Sequence, residues 1–204
     1  VRWQPYLLRC REAQRSGRLG EVKFLDISAG MNIAAQGTHV LNYGRFLLGD
    51  PPIRSVFAGA CGWDAEDAVH PGPMATAAYL QFENGVRGLW TTGPVSPRCG
   101  DPAIVWKHVR IAAYADRGRV NYEEFGRWEI VSTSPETAVA GDYGGMAVWQ
   151  ENNRLAQAAF HQAMFDWLDG AEAPGTNLKV SLHEWAAVLA LYQNQLRQGT
   201  QVLR

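Results

Sequence analysis

The sequence contains little cysteine and little imbalance of charge, and each shortage excludes a class of protein. Its cysteines, Cys10, Cys61 and Cys99, are odd in number and lack C-x-x-C spacing, which argues against a disulfide framework and against a thiolate zinc site. The formal net charge is -1 at pH 7, so the basic face that binds nucleic acid is not expected. We therefore predict a reduced, cytoplasmic setting and no nucleic-acid partner.

Long apolar runs and the common motifs for nucleotides, nucleophiles and metals are also missing. No run of about 18 apolar residues marks a membrane span. No G-x-G-x-x-G follows a predicted strand, and neither G-K-[ST] nor G-x-S-x-G occurs. The spacing typical of paired metal ligands is absent from four histidines: His70, His108, His161 and His183. We predict no membrane contact, no metal site and no binding of NAD(P) by this chain alone.

The rest of the composition is that of a folded globular protein. The chain has 204 residues, of which 47% are hydrophobic and 19% are charged. It is therefore long enough to bury a sizeable core and too apolar to be disordered. One domain over residues 1–204 is the economical interpretation.

Hydrophobic periodicity predicts helices near both ends of the chain and strands between them. Asn84-Gly85 is the clearest hairpin signal, because this pair adopts the positive φ values of a two-residue turn. Ser181 and Glu184 form a capping-box pattern at the start of the last helix. The predicted helices are 5–15, 35–49, 153–169 and one from 181 onward; the predicted strands are 21–28, 53–61, 76–82, 86–92, 108–114, 119–125 and 127–132; the predicted loops are 64–73 and 135–146. The pattern indicates an α+β fold, with a largely antiparallel mixed sheet and helices packed on one face.

The stretch 35–49 contains the strongest candidate for a functional site. Residues three apart lie on one side of a helix, so His39 and Asn42 point the same way, beside Gln36 in the first turn. An imidazole beside two amides makes a polar end to a substrate pocket. The competing interpretation is structural, because a histidine near a helix start is often a cap or a half-buried residue.

Three stretches follow one another in an informative order. The first is 2–5, RWQP, followed by 16–22, SGRLGEV; the second is 36–39, QGTH, at the head of its helix. The third is the hairpin 80–86, LQFENGV, together with the closing segment 181–203. In this order they resemble the entry, the histidine-bearing helix, the hairpin, and the last helix and edge strand of the carboxyl-terminal domain of the Gfo/Idh/MocA oxidoreductases.

This resemblance implies both a fold and a role. The family acts mainly on sugars, cyclitols and related polyols with NAD or NADP, and its dinucleotide-binding domain comes first. Residues 1–204 are then the substrate-binding and oligomerisation domain of an enzyme, the cofactor is held by the absent preceding domain, and this chain alone is inactive. The resemblance implies that His39 contacts the reacting hydroxyl, with Gln36, Asn42, Arg2 and Trp3 as further substrate contacts.

Departures from the family pattern favour an alternative role. Ala35 stands where the family commonly has Asp, Asn or Glu, and Asn42 stands where it often has Asp, so two carboxylates that orient or charge an imidazole are lacking. The family's Glu-Lys-Pro motif is also absent. The alternative is a non-catalytic binding or dimerisation module of the same fold. A third possibility is a scaffold that stacks sugars on its tryptophans.

The apolar residues of the predicted strands raise the question of what covers the second sheet face. If these residues face away from the helices, they form an exposed apolar surface that is too large for a monomer. They are Tyr79, Leu89, Trp90, Trp128 and Val131. That arrangement predicts a homo-oligomer through the open sheet face, as the resemblance also implies. The alternative is that they fill the core beneath the helices, and the sequence does not fix the strand register that decides between the two.

Overall fold

The computed structural model describes residues 2–62, 70, 72–94, 108–133, 138–142 and 144–198. Within these residues the helices are α1 (Pro5–Arg15), α2 (Thr38–Leu47), α3 (Gly145–Leu168) and α4 (Leu178–Gln198), and a π-helical turn (Ile33–Gly37) precedes α2. The strands are β1 (Val22–Ala29), β2 (Ile53–Cys61), β3 (Ala75–Phe82), β4 (Arg87–Thr92), β5 (Val109–Ala115), β6 (Gly118–Glu123), β7 (Arg127–Ser132) and β8 (Val139–Asp142). The α+β prediction is confirmed. Cys99, most of the 64–73 loop and the expected closing edge strand lie outside the described residues.

The strands form one eight-stranded sheet in the order β2-β3-β4-β1-β5-β6-β7-β8. β1 lies between two antiparallel meanders: it pairs parallel with β4, where Asp26 faces Leu89, and antiparallel with β5, where Asp26 faces Ala112. The predicted hairpin after β3 is confirmed, but its turn is not the predicted two-residue one. Phe82 N–H donates to the Val86 carbonyl around a three-residue loop, and of the Asn84-Gly85 pair only Gly85 has a positive φ, of 86°. The sheet is therefore mixed but largely antiparallel, as the sequence predicts.

The helices cover one face of this sheet and enclose the core. Trp90 in β4 is fully buried, and so are Leu25 and Ile27 in β1. α2 comes very close to β1 at Gly44, where a Cβ atom would lie 2.9 Å from a Leu25 side-chain carbon. The absence of a side chain at Gly44 thus sets the distance between the site-bearing helix and the central strand.

The opposite face of the sheet carries a row of residues from neighbouring strands. Phe57, Tyr79 and Leu89 stand side by side in β2, β3 and β4, and they are 65%, 43% and 38% exposed. The row becomes polar from Asp26 onward, where Arg110 donates to the Asp26 carboxylate at 2.8 Å. Trp90 and Trp128, two of the five apolar strand residues that could have faced this side, are buried on the helix side instead. This row is therefore apolar only at its β2 end; Tyr114 of β5, which is 41% exposed, adds a further aromatic ring to the same face.

Three boundaries differ from the predictions. The 135–146 segment, predicted as a loop for its glycines, contributes β8, which pairs with β7. α3 begins at Gly145 rather than at residue 153, because its first turns pack through Trp149, whose ring stacks on Phe125. The prediction of a capping box at Ser181 is wrong, because α4 starts earlier, at Leu178. The side-chain oxygen of Asn177 accepts a hydrogen bond from the Val180 N–H there.

Candidate functional site

The backbone before α2 is shaped to present His39. The Asn32 side chain caps the π-helical turn by accepting from the N–H groups of Ala34 and Ala35 at 3.0 and 3.1 Å. A π-turn widens the helix by one residue and is found preferentially at functional sites. It is followed directly by α2, whose second residue is His39.

His39 lies at a cavity of about 210 Å³ between α2 and the start of α4, which we call the His39 cavity. Its lining residues are Thr38, His39, Asn42, Tyr43, Thr176, Ser181, Glu184 and Trp185. Hydroxyls, an amide, a carboxylate and two aromatic rings thus surround one imidazole. This mixture of few polar groups and aromatic surface is typical of sites for small polar molecules.

The imidazole of His39 is available for chemistry. Its side chain keeps a surface open to solvent, and it forms no hydrogen bond with the described part of the chain. The walls of the cavity displace the rest of its water, and this partial desolvation lowers the pKa of His39 below its ordinary value of 6.5. The ring is therefore neutral at pH 7 and has a nitrogen that can accept a proton.

Behind the cavity, Asn42 joins a buried network of charges. Arg2, which is 1% exposed, donates from Nε to Asn42 Oδ1 at 2.9 Å and from Nη1 to Asp50 Oδ2 at 2.8 Å. Asn42 in turn donates from Nδ2 to Glu184 Oε1 at 2.6 Å. An arginine can only donate, so the orientation of the Asn42 amide is fixed with its oxygen toward Arg2.

Glu184 is the acidic member of this network that also lines the cavity. Arg45 Nη1 donates to its Oε1 at 3.2 Å, and both side chains are buried. Burial raises the pKa of Glu184, although the Asn42 hydrogen bond and the charges of Arg45 and Arg2 act in the opposite direction. Burial likewise lowers the pKa of Arg45. Asn42 and Arg45 of α2 are thus both tied to α4 through the buried carboxylate of Glu184.

The structure brings some of the predicted site residues together and separates others. His39 and Asn42 line the same cavity, and Arg2 lies behind Asn42. Gln36 turns back instead, and its Oε1 accepts from the Met31 N–H at 3.1 Å. Trp3 lines a second, adjoining cavity.

The residue that sequence reasoning missed is Glu184. The local sequence pattern indicates only a capping-box role for Glu184, whereas the structure shows it in contact with Asn42 across 142 positions of sequence. No local pattern signals such a pair.

Metal ligands and membrane-spanning helices are the remaining features that would define the class of site. Over the ranges that the structure describes, no group of three or more His, Cys, Asp or Glu side chains is arranged to hold a metal ion. Among the described helices, none combines the length and the apolar character that a membrane crossing requires.

Solved structures of other proteins share the fold of this chain. No family model matches the sequence, and no curated protein matches it either. Solved structures do match: an oxidoreductase from Agrobacterium radiobacter in complex with NAD+, L-tartaric acid and magnesium has a TM-score of 0.74 at 19% identity, covering 98% of this chain. An inositol dehydrogenase homologue from Azotobacter vinelandii complexed with NADH and myo-inositol has a TM-score of 0.67 at 14% identity, covering 100% of this chain.

A third match is an aldose-aldose oxidoreductase from Caulobacter crescentus complexed with glycerol, with a TM-score of 0.64 at 15% identity, covering 99% of this chain. The chain spans 62% of the length of each of these three proteins. At such identities the likeness concerns the fold. This chain has the fold of the carboxyl-terminal domain of Gfo/Idh/MocA-type oxidoreductases.

Proposed function

We propose that this chain is the substrate-binding and assembly part of an NAD(P)-dependent oxidoreductase that acts on a hydroxyl of a sugar, cyclitol or related polyol. The observation that carries the proposal is the neutral imidazole of His39, which lies at the His39 cavity and has no hydrogen-bond partner within the described ranges. The fold supports it, because proteins named as oxidoreductases of inositol and aldoses share that fold.

His39 is assigned to the proton of the reacting hydroxyl. Oxidation of a secondary alcohol removes a hydride from carbon and a proton from oxygen, and the carbonyl forms as both leave. A neutral imidazole within hydrogen-bond reach of that oxygen accepts the proton. The hydride belongs to the nicotinamide of the complete enzyme; no residue of this chain is assigned to hold it, since the sequence has no glycine-rich phosphate loop.

Of the other predicted contacts, Asn42 is assigned to the substrate, and Arg2 and Gln36 are assigned to positioning. Asn42 is held in one orientation by Arg2 and Glu184, so its cavity-facing edge meets a substrate hydroxyl with little loss of side-chain entropy. Arg2 acts by positioning Asn42. Gln36 acts by holding the π-helical turn through Met31.

The open sheet face is assigned to assembly. Phe57, Tyr79 and Leu89 form a contiguous apolar row there, and a second copy related by twofold symmetry would cover it with the same row. Exposed apolar patches of this kind mark protein interfaces. A homo-oligomer through this face therefore accompanies the proposed activity.

The proposal is tested on the complete enzyme with its nucleotide-binding domain. His39→Ala should lower kcat by about 100-fold or more, the usual contribution of a general base, while thermal unfolding stays within a few degrees of the parent. His161→Ala removes an exposed histidine from α3, far along the sequence from the cavity, and serves as the matched control. Unchanged turnover in His39→Ala removes this residue from the reaction.

One observation favours the second candidate, a non-catalytic binding or dimerisation module. No carboxylate among the described residues accepts a hydrogen bond from His39, and the position four residues earlier is Ala35. The upstream reading frame discriminates between the two. A strand with a glycine fingerprint and a Glu-Lys-Pro motif there supports the enzyme, and a stop codon supports the module.

A further inference from the structure

A second cavity adjoins the His39 cavity and is not used by the function proposed above. Its volume is about 190 Å³, and its lining residues are Trp3, Ala156, Gln157, Phe160 and Thr176; we call it the Trp3 cavity. Thr176, in the segment between α3 and α4, lines both cavities. The two spaces are therefore neighbours with one shared wall.

The sizes of the two cavities suggest that they act together. Each is smaller than the roughly 300–1,000 Å³ that small-molecule sites usually have, whereas their combined volume of about 400 Å³ lies within that range. A ligand confined to the His39 cavity leaves the Trp3 cavity empty. A ligand with two linked parts fills both.

The two cavities differ in chemistry. The His39 cavity contains an imidazole and a carboxylate, those of His39 and Glu184. Among the described residues that line it, the Trp3 cavity has no ionisable side chain; it offers two aromatic rings, the amide of Gln157 and the hydroxyl of Thr176. Aromatic faces beside a few neutral polar groups match a sugar ring, which has apolar C–H faces and hydroxyls at its edge. No lysine or arginine stands among the described lining residues, so nothing there favours a phosphate or a carboxylate over a neutral ring.

The aromatic wall is held in place by its neighbours in the sequence. Trp3 follows Arg2, which is fixed by Asn42 and Asp50, and it precedes Gln4, which is fully buried. The indole Nε1 of Trp3 and the Oγ1 of Thr176 are buried without a hydrogen-bond partner among the described residues. Polar atoms left in this condition cost free energy, so a ligand hydroxyl that reaches them gains more than it would at a satisfied wall.

Resting on the proposed function, we propose that the Trp3 cavity is a subsite for a second sugar ring. The substrate is then a neutral glycoside of two rings: the ring to be oxidised lies beside His39, and the second ring lies between Trp3 and Phe160. Trp3 and Phe160 determine specificity for the second ring and take no part in the proton transfer.

The test compares one-ring and two-ring substrates on the complete enzyme. The best hexose in a panel and the disaccharide that carries it at the reacting end are assayed with the parent, Trp3→Ala and Phe160→Ala. The parent should prefer the disaccharide in kcat/KM. Each variant should lose about tenfold on the disaccharide, the size of one aromatic contact, through KM rather than kcat, and should stay within twofold on the hexose.

Controls separate a subsite from a general loss of fold. Trp167→Ala removes a half-exposed tryptophan of α3 that lines neither cavity and should change nothing. Trp3→Phe keeps an aromatic ring and should restore most of the preference. Gln157→Ala should also reduce the preference for the disaccharide. Because Gln157 is exposed, this loss does not arise from a disturbed core.

The outcomes distinguish this inference from the proposed function. Equal losses on the hexose and the disaccharide, or no preference in the parent, overturn the second subsite while leaving the role of His39 intact. Saturation-transfer NMR of the disaccharide on the complete enzyme decides the matter independently of turnover. Transfer to both rings that shrinks at the second ring in Trp3→Ala supports the subsite, and transfer to one ring or to none refutes it even if His39→Ala is inactive.

Discussion

Replacing Asn42 by aspartate tests the buried network behind the His39 cavity. Asn42 donates to Glu184 Oε1 at 2.6 Å and accepts from Arg2. Asn42→Asp keeps the size and the acceptor for Arg2 but exchanges the donor for a carboxylate oxygen. Two carboxylates then face each other in a buried site, although aspartate is what the family often has at this position. We expect the substitution to destabilise this chain.

The size of the effect follows from the geometry. Two unit charges about 4 Å apart repel by about 4 kcal/mol at an effective dielectric constant of about 20. Arg2 gains a charged acceptor and offsets part of this. The expected loss in unfolding free energy is therefore about 2–3 kcal/mol at pH 8.

The loss should depend on pH with a definite sign. Burial already raises the pKa of Glu184, and a second carboxylate raises the pKa of the pair further, so the folded variant holds a shared proton that the unfolded chain releases. Stability then falls as pH rises through the folded pKa of the pair. Acidification toward pH 5 should recover most of the loss.

Urea unfolding of Asn42→Asp and Asn42→Ala at pH 5 and pH 8 measures this. The alanine variant loses both hydrogen bonds but introduces no charge. Its cost should therefore change less with pH than that of the aspartate variant, because only the loss of the Asn42 hydrogen bond raises the pKa of Glu184. An aspartate variant as stable as the parent at pH 8, or one whose loss does not change with pH, would refute the assigned amide orientation and the proximity of Glu184.

Three further predictions concern the site, the helix packing and the open sheet face. The acid limb of the pH profile of kcat/KM, which reports the free enzyme, should lie below 6.5, because desolvation lowers the pKa of His39, and a limb above that value excludes it as the base. Gly44→Ala should cost about 1–3 kcal/mol in thermal or urea unfolding, since the new Cβ would lie 2.9 and 3.0 Å from side chains of β1, whereas Gly59→Ala, with nothing within 4 Å, should be close to neutral. Leu89→Lys, which puts a cation opposite Asp26, should shift the oligomer toward smaller species in analytical ultracentrifugation while leaving the fold intact, and an unchanged sedimentation coefficient places the interface elsewhere.

The local elements of this protein could be predicted because their signals are local. The bounds of α1, β2 and β7 match the predicted ones, since proline at a helix start, runs of alternating residues and glycine turns act within a few positions. β8 was missed because its four residues, Val139 to Asp142, gain their structure from pairing with β7 rather than from their own propensity.

The candidate site could be predicted only in part, for a related physical reason. His39 and Asn42 are three residues apart on one helix, so their shared direction can be read from spacing. Glu184 joins them from a helix 142 positions away from Asn42, and Trp3 lies in a different cavity from His39 although both are candidates by resemblance. Which distant side chains meet depends on packing that no local pattern encodes.

The position of β1 between two meanders has a consequence for how the chain reaches its native state. β2 to β4 and β5 to β8 each pair with sequence neighbours, so each meander closes short loops. β1 instead bonds across 64 positions between Thr91 and Ile27, and across 84 between Arg110 and Asp26. Among the steps that build the sheet, insertion of this strand has the greatest loop-closure cost, and its rate should govern how fast the sheet forms during refolding.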